Sequence, residues 1–302
     1  RPKNAPDYAI VYCWGGIILH GDFMIELDNP YVMTGYNLFA LRLYRPILRA
    51  ILLSKRCKAI RCISQACLNT LRHELGDAVA DKAKVYYPVI SDLDTAHRPL
   101  PVSDPPKLLF ISTNFIIKAG SSVLRVMKRL QDANIKCHLT MITYLPEEYK
   151  EEAAMLSNTT IIPANLPRRE LVEFYKTHDV MLHPTFVESF GMVVLEALAH
   201  GMAIIANDVY AINEMVIDGR NGKLLQPPVS TWHGIIPAPY ISDYTKTRQL
   251  ILNTNTVNFE DKLFKAIKDT VSDSKICTDY KNQGFEHFNH LSHQPNYFKI
   301  NT

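Results

Sequence analysis

The chain has 302 residues, a formal net charge of +3, 47% hydrophobic and 21% charged residues; these are the proportions of an ordinary globular protein with enough chain for two cores. So slight a positive balance carries no nucleic-acid signature. No apolar run reaches the roughly 18–20 residues of a membrane-crossing helix, and the first residues lack the apolar core of a signal peptide.

Taken in chain order, short β-rich runs alternate with helical patterns. Strands are expected at 8–13, 23–28, 59–64 and 84–89, with helices around 37–55 and 65–75. The proline-rich stretch "HRPLPVSDPPK" at 97–107 reads as a linker. The alternation restarts beyond it with "LLFIS", a helix at 120–132, "CHLTMIT", a helix at 147–156, "TTIIP", a helix at 168–177, "DVMLHP", a helix at 192–200, "AIIAND", a short helix near 212–217 and "GKLLQ". The segment 227–256 shows no period and reads as an irregular insertion, and helical patterns close the chain at 257–271 and 275–290. Such alternation predicts an α/β protein with two Rossmann-like domains, each a parallel sheet covered by helices. The expected division is 1–104, 105–274 with the insertion, and a last helix in 275–302.

Of six cysteines, Cys57, Cys62 and Cys67 are evenly spaced, but not at a zinc spacing. All six are expected as buried free thiols in a reducing, cytoplasmic setting. There is no G-x-G-x-x-G, no Walker-type phosphate loop and no H-E-x-x-H pair, so a ligand must be held another way.

The stretch "HPTFVESFGMVVLEALAHG", 183–201, supplies that way. Ligands of doubly wound sheets sit at the carboxyl ends of the strands, so the loop carrying Glu188 lies on the binding edge. The helix that follows begins at Met192, and the first amides, from Gly191, Met192 and Val193, face the same crevice with the positive end of the helix dipole. That is a site for phosphate. Glu196, in an otherwise apolar helix, needs hydrogen-bond donors, which the vicinal hydroxyls of a ribose would provide. The plainer alternative is a surface loop entering an ordinary helix, with Glu196 paired to a lysine elsewhere.

The run from His183 to Leu225 resembles the nucleotide-sugar site of retaining glycosyltransferases of family 4 (glycosyl transferases group 1), which have the GT-B fold. The resemblance lies in Glu188 and Glu196 with seven residues between, Phe190-Gly191, the Glu-Ala-x-Ala-x-Gly run, Glu214 and Asn221-Gly222. "FISTNFIIKAGSSVL" is similar to the family's strand, loop and helix bearing a basic residue, and "AIRCISQACLNTL" to the first-domain strand and helix that carry a serine. The resemblance implies that Glu196 binds the ribose and that Glu188 contacts the donor sugar or its phosphate. Ser189, Phe190, Gly191, Met192 and Val193 surround them, Asn114 joins the donor site, and Lys118 neutralises the diphosphate. No metal or other cofactor is expected. Departures from the pattern are Thr113 and Asn114 where an arginine is usual, Met202 where proline is common, and a first domain short for the family. That domain is expected to be incomplete, so that the chain binds and slowly hydrolyses donor while transferring poorly.

The implied activity is transfer of a sugar from a nucleotide diphosphate to a hydroxyl of a carbohydrate or lipid-linked acceptor, in polysaccharide or glycolipid assembly. The alternatives are a non-catalytic sugar-nucleotide-binding protein and a GT-B-fold sugar-nucleotide epimerase. On the acceptor side Glu26 and Asp28 share one strand face and either meet an acceptor or cap a turn at Asn29-Pro30. The basic stretch 36–58 either lies peripherally on an anionic membrane face or packs on its own sheet with its charges in water. Pro46 is expected to interrupt it. His287, His290 and His293 are read as dipole partners at a helix end, with metal binding as the alternative.

Overall fold

A computed structural model describes residues 10–90 and 98–292. The chain divides into two compact units. Among the described residues, unit 1 takes 10–88, Trp232–Asp243 and Ser292, and unit 2 takes 89–90, 98–231 and Tyr244–Leu291.

Unit 1 holds a parallel sheet of β1 (Val11–Trp14), β2 (Phe23–Leu27), β3 (Cys57–Cys62) and β4 (Ala83–Val85), in that spatial order. Helix α1 (Leu38–Leu53) follows β2 and starts at Asn37, whose side chain accepts the Ala40 amide at 2.9 Å. It runs through Pro46 without a break, which corrects the expected interruption. Leu41, Leu48 and Leu52 form its buried face. Helix α2 (Gln65–Leu75) is capped by the buried Ser64, whose hydroxyl accepts the Cys67 amide at 3.0 Å, and α3 (Asp77–Ala80) follows. Glu74 of α2, 5% exposed, takes bonds from the Tyr31 hydroxyl at 2.8 Å and from Arg45 of α1 at 2.7 Å, so the two helices share one satisfied buried carboxylate.

Unit 2 holds six parallel strands: β5 (Lys107–Ser112), β6 (His138–Thr143), β7 (Thr159–Ile162), β8 (Val180–His183), β9 (Ala203–Asn207) and β10 (Gly222–Leu225). Their spatial order is β10-β9-β8-β5-β6-β7. The chain winds outward from β5 through β6 to β7, then returns to β8 on the other side of β5. The switch point therefore falls between β5 and β8. The connections carry α4 (Gly120–Asp132), α5 (Lys150–Ala154), α6 (Arg168–Thr177), α7 (Met192–Ala199) and α8 (Ile212–Met215). At Gly222, where β10 begins, a Cβ would stand 1.9 Å from the Ile204 carbonyl oxygen of β9. The Asn221 side chain accepts the Ile217 amide at 2.7 Å and donates to the Met215 carbonyl at 2.9 Å, which ties the turn to α8. The Asn-Gly pair is thus a packing requirement of this strand.

The segment expected to be irregular is ordered. It forms a hairpin, β11 (Trp232–His233) with β12 (Ile236–Pro237), followed by α9 (Tyr244–Asn253). The hairpin belongs to unit 1, where Trp232 packs on Tyr31 (ring centroids 6.3 Å apart) and the Thr70 hydroxyl donates to the Ile235 carbonyl at 3.3 Å. Helices α10 (Val257–Val271) and α11 (Ser274–Ser292) follow. Helix α11 joins unit 2 as far as Leu291, and beyond that only Ser292 is described.

The reason is a buried ion pair. Lys281 of α11 meets Asp179 at 2.7 Å, with the two side chains 3% and 2% exposed. The second Asp179 oxygen accepts the amides of Lys107 (2.9 Å) and Ser103 (3.2 Å). All six cysteines are free, five of them buried. Burial, then the nearby Asp179 carboxylate, push the Cys277 thiol up to about 12, so it stays protonated and inert.

Removing one member of such a pair strands the other charge. Lys281→Met should lower stability by about 3–5 kcal/mol. An unchanged urea midpoint would reject this account of how α11 is held.

Candidate active site

The loops that leave β5 and β8 are fastened together at the switch point of unit 2. Ser112 ends β5, and its hydroxyl accepts the Asn114 amide at 2.8 Å. The Asn114 side chain in turn accepts the Ile117 amide at 3.3 Å and donates to the Tyr244 hydroxyl at 3.1 Å. The Phe186 amide donates to the Ile117 carbonyl at 2.9 Å, joining the two loops directly. Buried Asn207, at the end of β9, donates to the carbonyls of Pro184 (2.9 Å) and Thr185 (3.0 Å) and anchors the second loop from below.

This fastening brings Lys118 onto Glu188. The Lys118 ammonium donates to one Glu188 oxygen, Oε2, at 2.7 Å and to the Val187 carbonyl at 2.9 Å. Oε2 also meets His183 Nε2 at 2.9 Å, while Oε1 accepts the Ser189 amide at 3.1 Å. Burial alone would raise the Glu188 pKa. The Lys118 charge and the His183 bond outweigh it and hold the carboxyl far below the usual range. Glu188 is therefore a fixed anion with donors on both oxygens. His183 is almost wholly buried, and burial lowers its pKa against the pull of Glu188, so the neutral ring is favoured.

Gly191 turns the chain into α7 with φ +92°, and a Cβ there would stand 2.6 Å from Ile212 Cδ1. The position demands glycine on both counts. The first helical bonds are those from Val194 and Leu195 to the Gly191 carbonyl. The Met192 and Val193 amides precede them and project from the positive end of the helix. Phe190 is buried, Met192 exposed and Val193 half-buried.

Glu196 lies one turn inside α7 and is 8% exposed. Its partners come from α6: Arg168 bonds Oε1 at 2.5 Å and the Tyr175 hydroxyl bonds Oε2 at 2.6 Å. Burial, then the Glu196 charge, raise the Tyr175 pKa, so its hydroxyl remains a donor. The Tyr175 ring stacks on His200 at 5.4 Å. A carboxylate offers about four acceptor directions, so these two donors leave room for ribose hydroxyls.

Lys118, Glu188 and the Ser189 amide are thus in contact, the start of α7 follows within the same loop, and Asn114 shapes the loop that presents Lys118. Glu26 and Asp28 belong to unit 1. Asp28 accepts the Asn29 amide at 2.8 Å and the Tyr36 hydroxyl at 2.9 Å, and the Asn29 side chain caps the turn at Pro30–Thr34. Glu26 lies opposite Arg61 in the β2–β3 register. At the chain's last helix His287 meets the Glu214 carbonyl at 2.8 Å, and His293 lies outside the described residues. His183, Arg168 and Tyr175 were not singled out from sequence. Arg168 and Tyr175, seven apart, share a helix face, but nothing local says that this face meets α7.

Two α/β units, each a parallel sheet with helices, one with a charged cleft at its switch point, match the GT-B fold. Residues 94–235 match the family model "Glycosyl transferases group 1", the family that the sequence resembles. Curated relatives include the D-inositol 3-phosphate glycosyltransferase of Arthrobacter sp. (strain FB24), 34% identical over 28% of this chain and 20% of that protein. That of Xylanimonas cellulosilytica is 25% identical over 61% of this chain and 51% of that protein. The chain thus spans about half the length, or less, of these relatives. Among solved structures, sucrose-phosphate synthase from Thermosynechococcus elongatus matches with TM-score 0.60 and 16% identity over 89% of this chain and 63% of that one. Anabaena Alr3699/HepE, in complex with UDP and glucose, gives TM-score 0.58 and 14% identity over 89% and 67%. These likenesses concern the fold.

A group whose folded pKa lies below its unfolded value contributes stability above the unfolded value and loses it as pH falls. His183 and the buried His178 both have this sign. Stability should decline below about pH 6.5, and His183→Gln, which keeps a donor toward Glu188, should flatten part of that decline. Parallel pH profiles of unfolding free energy for the two proteins would count against a buried neutral His183.

Proposed function

We propose that the chain is a metal-independent, retaining glycosyltransferase using a nucleotide-diphosphate sugar and a hydroxyl on a carbohydrate or lipid-linked acceptor. The observation that carries this reading is the Lys118–Glu188 contact at the β5–β8 switch point, 2.7 Å long, beside the start of α7. The diphosphate would lie between the Lys118 ammonium and the α7 amides, the ribose at Glu196, and the sugar along Glu188 and Ser189. Positive charge fixed at the leaving group stabilises what develops as the glycosidic bond breaks, and so acts on rate as well as affinity. The departing diphosphate would then stand on the face that the acceptor attacks and take its proton, giving front-face substitution with retention.

Glu188 fits this role better than that of an acid. Held as an anion by Lys118, His183 and the Ser189 amide, it is poorly placed to donate protons, which weighs against the epimerase alternative. The binding-protein alternative has its own support in Thr113 and Asn114, which stand where the family pairs an arginine with the lysine.

Lys118→Met should lower kcat by about 100- to 1000-fold with a smaller change in donor affinity, measured as nucleotide release with and without acceptor. No acceptor-dependent release from the unaltered chain would favour the binding-protein alternative. Turnover should also persist in EDTA, because Lys118 and the helix end supply the positive charge. Loss of activity in chelator, restored by manganese or magnesium, would overturn metal independence.

A further inference from the structure

Helix α1 shows water an apolar face. Opposite its buried Leu41, Leu48 and Leu52 stand Phe39 (75% exposed), Leu43 (60%) and Ile47 (56%), with Leu53 (43%) as the last residue of the helix. Exposed Pro46 and Ala50 fill the spaces between them. Positions 39, 43, 46, 50 and 53 recur at intervals of four and three, so they form one stripe along the helix. Leu19, 60% exposed, extends the apolar surface past the helix end, where Arg56 bonds the Leu19 carbonyl. A helix that merely packed on its sheet would turn its charges, not this stripe, to water.

The charges lie beside the stripe and have one sign. Residues 36–58 contain Arg42, Arg45, Arg49, Lys55, Arg56 and Lys58 and no Asp or Glu. Arg45 is tied to Glu74, Arg49 to the Leu75 carbonyl and Lys58 to Asp22. Arg42 and Lys55 are exposed and make no ion pair among the described residues. A second copy of the chain would bring the same cations against these, which like-charge repulsion disfavours. A long apolar stripe flanked by cations instead suits the interface of an anionic bilayer, where the apolar side chains enter the acyl boundary and the cations meet headgroups.

We propose that the outer face of α1 docks unit 1 on an anionic lipid surface, with Phe39, Leu43 and Ile47 entering the interface and Arg42 and Lys55 meeting the headgroups. The surface involves none of the donor-site residues, so lipid binding and sugar transfer are read out separately.

The test is co-sedimentation of the full chain with phosphatidylcholine vesicles containing about 30% phosphatidylglycerol, against phosphatidylcholine alone, at low and high salt. Binding should be confined to the anionic vesicles and fall with salt. The double variant Leu43→Glu/Ile47→Glu should bind about ten-fold less, with circular dichroism and nucleotide binding unchanged. Phe39→Trp provides a probe that leaves the face apolar: its emission should shift to the blue on anionic vesicles. An emission maximum that stays put, or equal vesicle binding by the double variant, overturns the proposal. So does a dimer in gel filtration that the double variant dissociates while neither protein binds vesicles, which would assign the face to a second copy.

Discussion

Asp179 and Lys281 hold the part of unit 2 on which its cleft depends. Asp179 stands at the amino end of β8 and accepts amides from Ser103 and from Lys107, where β5 starts. The two strands are thereby fixed side by side at one end, with Leu108 opposite Val180 and Leu109 opposite Met181. At their other end the same strands release the loops that carry Lys118 and Glu188. A charge this deep is tolerated only with its partner present, and the partner arrives with α11, a hundred and two residues later in the chain. The closing helix is therefore a condition for the strand register from which the cleft grows.

The two glutamates of the donor motif are satisfied in different ways. Glu188 is pinned by a cation, a neutral imidazole and an amide from its own and the neighbouring loop. Glu196 is braced from α6 by a guanidinium and a phenol. The first arrangement sets charge at the mouth of the cleft. The second fixes the angle of α7, and so the direction of its leading amides. A neutral glutamine at either position would keep the volume and lose a charge that several groups are arranged to meet.

Much of the fold was legible because period and punctuation agreed. Four strands before the proline-rich stretch and six after it follow from apolar runs separated by helical spacing, and both sheets contain them. Glu188 could be placed on the binding edge because its loop leaves the carboxyl end of a strand, whereas Lys118 was assigned to the same cleft only by the family resemblance. What escaped were facts of tertiary contact. The partners of Glu196 are an arginine and a tyrosine, twenty-eight and twenty-one residues away, on a helix whose inward face cannot be read locally. Residues 227–256 looked irregular because two-residue strands show no period, and Trp232 finds its order only against Tyr31. Pro46 signalled a break, yet α1 carries it on the exposed side and continues.

The hairpin at Trp232–Asp243 has a consequence for how the chain folds. Unit 1 is not one stretch of sequence: its sheet is finished by β4 at Val85, but the segment that covers Tyr31 and Thr70 is encoded only after the whole of β5 to β10. Contacts of such long separation slow folding, because the loop they close must be ordered before they contribute. During synthesis the first unit emerges early and waits, lacking that cover, while the second completes its sheet. The surface around Tyr31 and Thr70 is then where a nascent chain would be most open to chaperones or to mispairing, and folding of the amino-terminal unit is kinetically slaved to its successor.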